Sequence, residues 1–146
     1  NAIDFAHALD IEQPKVAILA AVEEVKPQMQ STIDAAALCK MADRGQITGA
    51  LLDGPLAFDN AISQQSADIK HIHSPVTGDV DILLVPDLEA GNMLGKQLIY
   101  LGEAKAAGIV MGSKVPIVLT SRSDDELDRL YSIALGAYVA QKRKQA

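Results

Sequence analysis

Aromatic residues are scarce in this chain, which has no Trp, 3 Tyr and 2 Phe among its 146 residues. Any hydrophobic core must therefore be built from Ala, Val, Ile and Leu, which suits helices packed closely against a sheet. Hydrophobic residues nevertheless make up 49% of the chain, against 22% that are charged. This balance excludes an intrinsically disordered chain and indicates one globular domain or a piece of a larger one.

Four further features that the sequence lacks exclude particular kinds of site, partner and location. With Cys39 as the single cysteine, the chain cannot form an internal disulfide framework or a thiolate metal site, and we expect a cytoplasmic location. The 13 Lys and Arg are outnumbered by 19 Asp and Glu, a net charge of −6, so nucleic acid and anionic membranes are unfavourable partners. No apolar run reaches the roughly 18 residues of a membrane span. The start of the chain also lacks the pattern of a signal peptide.

The hydrophobic pattern predicts alternating strands and helices. Continuous apolar runs, typical of strands covered on both faces, occupy residues 16–22, 49–52, 82–85, 108–111 and 115–119. Helices are predicted over residues 2–9, 32–44, 58–69, 91–107 and 124–142. We therefore expect an α/β fold with a largely parallel sheet and flanking helices.

Two helix starts carry a capping pattern. Ser123 and Glu126 have the spacing of a capping box at the start of the last helix, and residues 31–34 have a looser version of it. The last helix also has an apolar stripe, by which we expect it to pack. That stripe consists of Leu127, Leu130, Ala134, Leu135 and Tyr138.

The loops after the strands are the candidate sites, because ligands of open parallel sheets bind outside the carboxyl ends of the strands. Ser121-Arg122 precedes the last helix, and an Arg beside a helix N-terminus can bind phosphate. In the alternative interpretation, Ser123 and the acids at 124–126 only cap the helix, and Arg122 forms a surface ion pair. The residues alone do not decide between the two interpretations, because the three acids in the first turn would also repel a bound phosphate.

A second candidate, at residues 91–96, resembles a shortened phosphate cradle. It is not a Walker motif, because Gly91 and Gly95 are only four positions apart and Gln97 follows Lys96. The spacing favours the alternative of a helix start with Lys96 in solvent. No Gly-x-Gly-x-x-Gly occurs in the chain, which argues against a dinucleotide enzyme.

The His and Cys residues favour structural roles. His71 and His73 are two apart and could share one face as metal ligands, but no third ligand is near them in the sequence. We therefore interpret them as residues of a surface loop and predict no metal site. Cys39 has no cationic activator specified around it, so we interpret it as a small packing residue and not as a nucleophile.

Three loop segments together resemble the phosphate acetyl/butyryltransferase family. They are DGPLAFD at 53–59, VPDLEAGN at 85–92 and KVPIVLTSR at 114–122, and their order and spacing match the family as well as their residues. The resemblance runs from about Val16 to about Ala140. The butyryl branch fits best, through Asp-Gly-Pro at 53–55 and Ser-Arg-Ser-Asp at 121–124.

The resemblance implies a reversible reaction in which an acyl-CoA and inorganic phosphate give acyl phosphate and free CoA. It implies no metal, no tightly bound cofactor and a homo-oligomer. It also implies a fold similar to that of isocitrate and isopropylmalate dehydrogenases, with the active site between two α/β domains. Residues 1–114 would be most of domain two, and residues 115–146 the strand and helix that return to domain one. In this mapping the N-terminal half would be absent, and the start on Asn1 instead of Met also leads us to expect a missing N-terminal part.

The resemblance also assigns roles to residues. Ser121 and Arg122 match the Ser-Arg motif of the cleft, where Arg would hold phosphate or polarise the acyl carbonyl. Asp128 matches the candidate base for the CoA thiol in the acetyl branch, six positions after Arg122, whereas Asp124 belongs to the motif of the butyryl branch; both stay candidates. The remaining substrate-binding candidates are Gly91, Asn92, Lys96, Asp53 and Asp59, of which the last two could instead hold their loop in shape.

Two other functions stay open. One is a metal-dependent decarboxylating dehydrogenase of the same fold, which would need several Asp side chains converging on a divalent cation. The other is a non-catalytic module that binds acyl-CoA or phosphate.

Overall fold

The computed structural model describes residues 1–145 of the chain. These residues form six helices and five strands. Two compact units are present: one consists of Glu12–Gly91, and the other combines Asn1–Ile11 with the chain from Asn92 onward. We refer to the first as the sheet unit and to the second as the helix unit. Among the described residues, no helix is long and apolar enough to cross a membrane.

The elements alternate along the chain as the hydrophobic pattern predicts. The helices are α1 Ala2–Ala8, α2 Gln30–Asp43, α3 Phe58–Ile62, α4 Gln64–Ile69, α5 Leu88–Tyr100 and α6 Glu126–Gln145. The strands are β1 Lys15–Leu19, β2 Leu51–Leu56, β3 Ile82–Leu84, β4 Ile109–Val110 and β5 Ile117–Val118.

The sheet unit contains a three-stranded parallel sheet in the order β2-β1-β3. The central strand carries the most continuous apolar run, and its residues from Val16 to Leu19 are all buried. Helix α2 packs on the sheet, where its Ala35 lies beside Gly54 of β2, and the buried residues of this helix are Thr32 and Ala35. The predicted α/β class with a parallel sheet and flanking helices is confirmed here, and the reason for it is also confirmed: both faces of β1 are covered.

The helix unit departs from the predicted parallel arrangement, because β4 and β5 pair antiparallel in a separate two-stranded sheet. Only residues 111–116 separate the two strands, and a parallel pair needs a crossover of about a dozen residues or more. Gly112, with φ +102°, allows the chain to reverse within this short connection.

Helix α6 packs by a different face from the predicted stripe. Leu127, Leu130 and Ala134 are exposed, whereas Ser132, Gly136 and Val139 are buried. The Ser132 hydroxyl accepts the Gly108 N–H at 3.0 Å and donates to the Asp128 carbonyl at 2.8 Å. A Cβ at Gly136 would lie 2.7 Å from a methyl group of Val118. Small side chains therefore bring α6 close to β4 and β5, and the larger apolar residues face outward.

Three helices differ in extent from their predicted segments. The predicted helix 58–69 is two helices, because Ser63 has extended backbone and caps α4 by accepting the Ser66 N–H. Helix α2 starts at Gln30 without a side-chain cap, so the looser capping pattern at 31–34 is wrong. Helix α5 starts at Leu88, three residues before the predicted Gly91, and ends at Tyr100.

Candidate functional site

Ser121 and Arg122 lie in a tight turn before α6 that is closed by Asp124. The Asp124 carboxylate accepts the Ser121 N–H at 2.5 Å, and the Asp124 N–H donates to the Ser121 carbonyl at 3.2 Å. The Ser121 hydroxyl lies 3.0 Å from the Ser123 hydroxyl. Asp124 is thus occupied in shaping the turn that presents the Ser-Arg pair.

The capping box predicted at the start of α6 is wrong, because a different residue caps the helix. Ser123 contacts Ser121, whereas the carboxylate of Asp125 accepts the Asp128 N–H at 2.8 Å and caps the helix. An Asp can cap a helix as well as a Ser can, and three consecutive residues, Ser123, Asp124 and Asp125, could each have been the cap. The preceding turn decides among them, because it already uses Ser123 and Asp124.

Asp128 is the acid of this region whose carboxylate is left unsatisfied. Its Oδ1 is buried and is the one such side-chain atom among the described residues without a hydrogen-bond partner. An unpaired buried acceptor is costly and calls for an explanation such as a ligand or a catalytic proton. Asp124, by contrast, has a hydrogen-bond partner in the Ser121 N–H.

Arg122 is exposed, and within residues 1–145 its guanidinium has no hydrogen bond or ion pair. The surface ion pair of Arg122 in the alternative interpretation is therefore not seen among these residues. Five N–H donors of a planar fork remain available for a phosphate or a carbonyl oxygen.

Helix α5 places the candidates Gly91, Asn92 and Lys96 inside the helix, not at its opening. The Gly91 N–H donates to the Asp87 carbonyl at 3.1 Å and the Asp87 side chain accepts the Ala90 N–H at 2.7 Å. The Gly91 amide is thus engaged within the chain, because the helix begins three residues earlier than predicted. Lys96 and Asn92 are exposed on its surface.

Asp53 lies within β2 and its carboxylate accepts the N–H of the next residue, Gly54, at 2.8 Å. Cys39 of α2 lies close to this segment, with its Sγ 3.4 Å from the Gly54 carbonyl. Burial raises the pKa of the Cys39 thiol to about 11, and the carboxylates of Asp53 and Asp43 add to the rise. A thiol with so high a pKa is a poor nucleophile at neutral pH, in keeping with a packing role.

Asp59 belongs to a charged network in the sheet unit that the sequence did not predict. The Lys70 ammonium lies 2.6 Å from Glu23, 3.0 Å from Asp59 and 3.1 Å from the side-chain oxygen of Asn60. The fully buried Asn60 donates its amide to Glu23 at 2.6 Å, and the Ser66 hydroxyl donates to Asp59. The partners are up to 47 positions apart, so no local spacing could have revealed them.

The network shifts the pKa values of its members in the directions that favour their charged forms. Hydrogen bonding to Lys70 lowers the pKa of Glu23, and hydrogen bonds from Ser66 and then Lys70 lower that of Asp59. The same contacts, with Glu23 first, raise the pKa of Lys70. The network is therefore ionised at neutral pH.

His71 and His73 are both exposed, as expected for a surface loop. In the part of the chain that the structure describes, no group of three or more His, Cys, Asp or Glu could hold a metal ion.

Comparison with known proteins places these residues in context. The family model described as Phosphate acetyl/butaryl transferase matches residues 1–137. A phosphate acetyltransferase of Rhizobium meliloti is 60% identical over 146 residues, which cover 100% of this chain and 46% of that protein. A probable phosphate butyryltransferase of Bacillus subtilis is 52% identical over 142 residues, which cover 97% of this chain and 48% of that protein.

A solved structure gives the same result. A branched-chain phosphotransacylase from Enterococcus faecalis is similar with a TM-score of 0.85 at 37% identity, over 96% of this chain and 50% of that one. The chain thus spans about half the length of the relatives that it matches.

Proposed function

The chain belongs to the phosphate acetyl/butaryl transferase family, and on this premise we propose that it is part of an enzyme that transfers a short acyl group between CoA and inorganic phosphate. The resemblance seen in the sequence is thereby confirmed. The relatives named above are all acyl-transfer proteins by name, and they give no support to a dehydrogenase or to a non-catalytic module.

The observation that carries the proposal is the turn before α6. In this turn Arg122 lies four residues before the first residue of α6, and its guanidinium has no hydrogen bond or ion pair among the described residues. In the reaction, a phosphate oxygen attacks the carbonyl carbon of the thioester, and negative charge builds on the carbonyl oxygen. The carbon–sulfur bond then breaks, and the CoA thiolate takes up a proton. A fixed guanidinium can hold the phosphate or stabilise the oxyanion, which is the largest single contribution in most acyl transfers.

Asp128 is the residue that we propose as the base for the CoA thiol in the direction of acyl-CoA formation. A thiol has a pKa of about 8.5 and needs only modest help from a carboxylate. The unpaired Oδ1 supports this role, whereas the carboxylate of Asp124 already binds the Ser121 N–H. Asp124 would then act on the Ser-Arg turn and not on the substrate.

The domain assignment is also a proposal. In it, residues 1–114 are most of domain two of a fold similar to that of the isocitrate and isopropylmalate dehydrogenases, and residues 115–146 return to domain one. The outward-facing apolar residues of α6 support it, since Leu130 is 57% and Ile133 is 59% exposed. An apolar surface of this kind is usually covered by another part of a protein, here by domain one.

The preferred acyl group is proposed from the motifs at 53–55 and 121–124, which favour butyryl or branched chains over acetyl. The relatives carry both names, so an assay has to decide between them. Acyl-CoA, phosphate and acyl phosphate are the proposed ligands, with no metal or tightly bound cofactor. A homo-oligomer and a cytoplasmic location stay predictions.

The complete enzyme should release free thiol when it is supplied with butyryl-CoA and phosphate, and Arg122→Gln should lower kcat by about 10²- to 10³-fold, as loss of an oxyanion donor does. Ellman titration of the released CoA measures both, with acetyl-CoA assayed in parallel. Arg44→Gln is the matched control, because Arg44 is an exposed C-cap of α2. If the wild-type enzyme releases no thiol with either substrate, the proposed function is refuted.

A further inference from the structure

The loop at residues 20–29 follows β1, the central strand of the parallel sheet. The chain proceeds from β1 to β2 on one side, and β3 then adds on the other side. The carboxyl end of β1 is therefore the point at which the order of the strands switches direction. Ligands of open α/β sheets bind at such a point.

Both ends of this loop are anchored by buried polar residues. Near its start, Glu23 receives hydrogen bonds from Lys70 and from the fully buried Asn60, each at 2.6 Å. Towards its end, the fully buried Thr32 accepts the Lys26 N–H at 2.9 Å and donates to the Met29 carbonyl at 2.8 Å.

Between the two anchors, residues 24–28 are all exposed, and Val25 is 52% exposed. These side chains contribute little to the core, so the burial of the loop does not explain why it is fixed. A surface held in one conformation before a ligand arrives avoids the entropy cost of ordering on binding. A fixed loop at a switch point is an arrangement suited to a ligand.

We propose that Lys70 is a positioning residue, which acts through Glu23 and Asn60 to hold the 20–29 loop in the conformation that contacts the acyl-CoA substrate. This inference rests on the proposed function. The single ammonium of Lys70 lies between the carboxylates of Glu23 and Asp59. Without the Lys70 ammonium, the carboxylates of Glu23 and Asp59 repel each other, and Glu23 moves away from its anchored position.

Kinetics of the complete enzyme test the substrate role. Lys70→Met should raise KM for butyryl-CoA about tenfold and change kcat much less, because a loosened binding loop weakens the binding of both the ground state and the transition state. Lys70→Arg should restore most of the affinity, since a guanidinium can also bond two carboxylates. Lys40→Met is the control, because among the described residues Lys40 pairs only with Asp43, at 2.9 Å on α2. The loss of Lys40 should leave KM unchanged.

Amide hydrogen exchange of the complete enzyme tests the anchoring independently of turnover. Residues 20–29 should exchange faster in Lys70→Met than in wild type, with residues 30–43 of α2 as the internal reference. Unchanged exchange in the loop overturns the anchoring. Faster exchange with an unchanged KM overturns the substrate role. A wild-type enzyme without turnover refutes the proposed function instead, and the exchange result still decides whether Lys70 anchors the loop.

Discussion

At the scale of single residues, two acids close together in the sequence differ in their hydrogen bonding. Asp124 closes the turn of Ser121 and Arg122, and Asp128 keeps a buried carboxylate oxygen without a partner. The family resemblance implies that both are candidates for the same base. The hydrogen-bond partners separate them, because a carboxylate that accepts a main-chain N–H is already in use.

Asn substitutions of the two acids should therefore have unequal effects. Asp128→Asn should lower kcat for acyl-CoA formation by about 10²- to 10⁴-fold, the usual contribution of a general base. Asp124→Asn should keep most of the activity, since the Asn side-chain oxygen can still accept the Ser121 N–H, whereas Asp124→Ala should lose more. Steady-state kinetics of the three variants check this, and equal losses in Asp124→Asn and Asp128→Asn would contradict the assignment.

At the scale of elements, the segment 53–55 shows how a turn-like sequence can form a strand. Gly and Pro usually end strands, so the sequence predicts that the second strand stops at Leu52, but β2 continues to Leu56. A Cβ at Gly54 would lie 2.7 Å from the Ile18 carbonyl oxygen and 2.8 Å from the Ile18 Cβ. Gly54 is therefore required for the close approach of β2 to β1 and not for a turn.

Gly54→Ala should destabilise the chain by about 1–3 kcal/mol, as overpacking of a tight core does, because the clash is with main chain that cannot rotate away. Gly95→Ala is the matched control. Apart from the adjacent residues and the backbone of its own helix, no described atom lies within 4 Å of a Cβ at Gly95, and Ala is favoured over Gly by up to about 1 kcal/mol inside a helix. Urea denaturation followed by circular dichroism compares the two midpoints; a Gly54→Ala midpoint equal to wild type would show that the strands can separate at little cost.

At the scale of the whole molecule, the chain is short relative to its family, since it spans 46% of the Rhizobium meliloti relative. Its helix unit leaves many large apolar side chains exposed, among them Leu101, Val115 and Leu119. Helix α5 has no buried residue at all among those that the structure describes. These features are expected of a part of an enzyme, whose remaining cleft residues would come from elsewhere.

The isolated 146-residue chain should accordingly show no turnover with butyryl-CoA and phosphate above the uncatalysed rate. Half of the proposed cleft is missing from it, and catalytic groups that act as a unit lose almost all rate when part of the set is removed. The thiol-release assay, run beside the complete enzyme at equal molar concentration, measures the difference. Turnover by the isolated chain close to that of the complete enzyme would contradict the domain assignment.

The sequence by itself determined the α/β class, the presence and order of the five strands, and the family. Apolar runs without polar alternation specify strands buried on both faces, and three motifs in fixed order are specific to one group of proteins. These signals lie within short stretches of the sequence, so they can be recognised without knowledge of the fold. The candidate residues Ser121, Arg122 and Asp128 are recognised in the same way.

Only the tertiary structure decided which face of α6 packs, which acid caps it, how β4 pairs with β5, and which residues surround Asp59. Each of these depends on partners distant in sequence or on competition between equivalent neighbours. Lys70 and Glu23 meet across 47 positions, and Ser132 replaces the leucines of α6 at the packed face because its hydroxyl binds the N–H of Gly108. Periodicity counts apolar residues on a helix, but the closeness and the hydrogen bonds of its neighbours select the face that is buried.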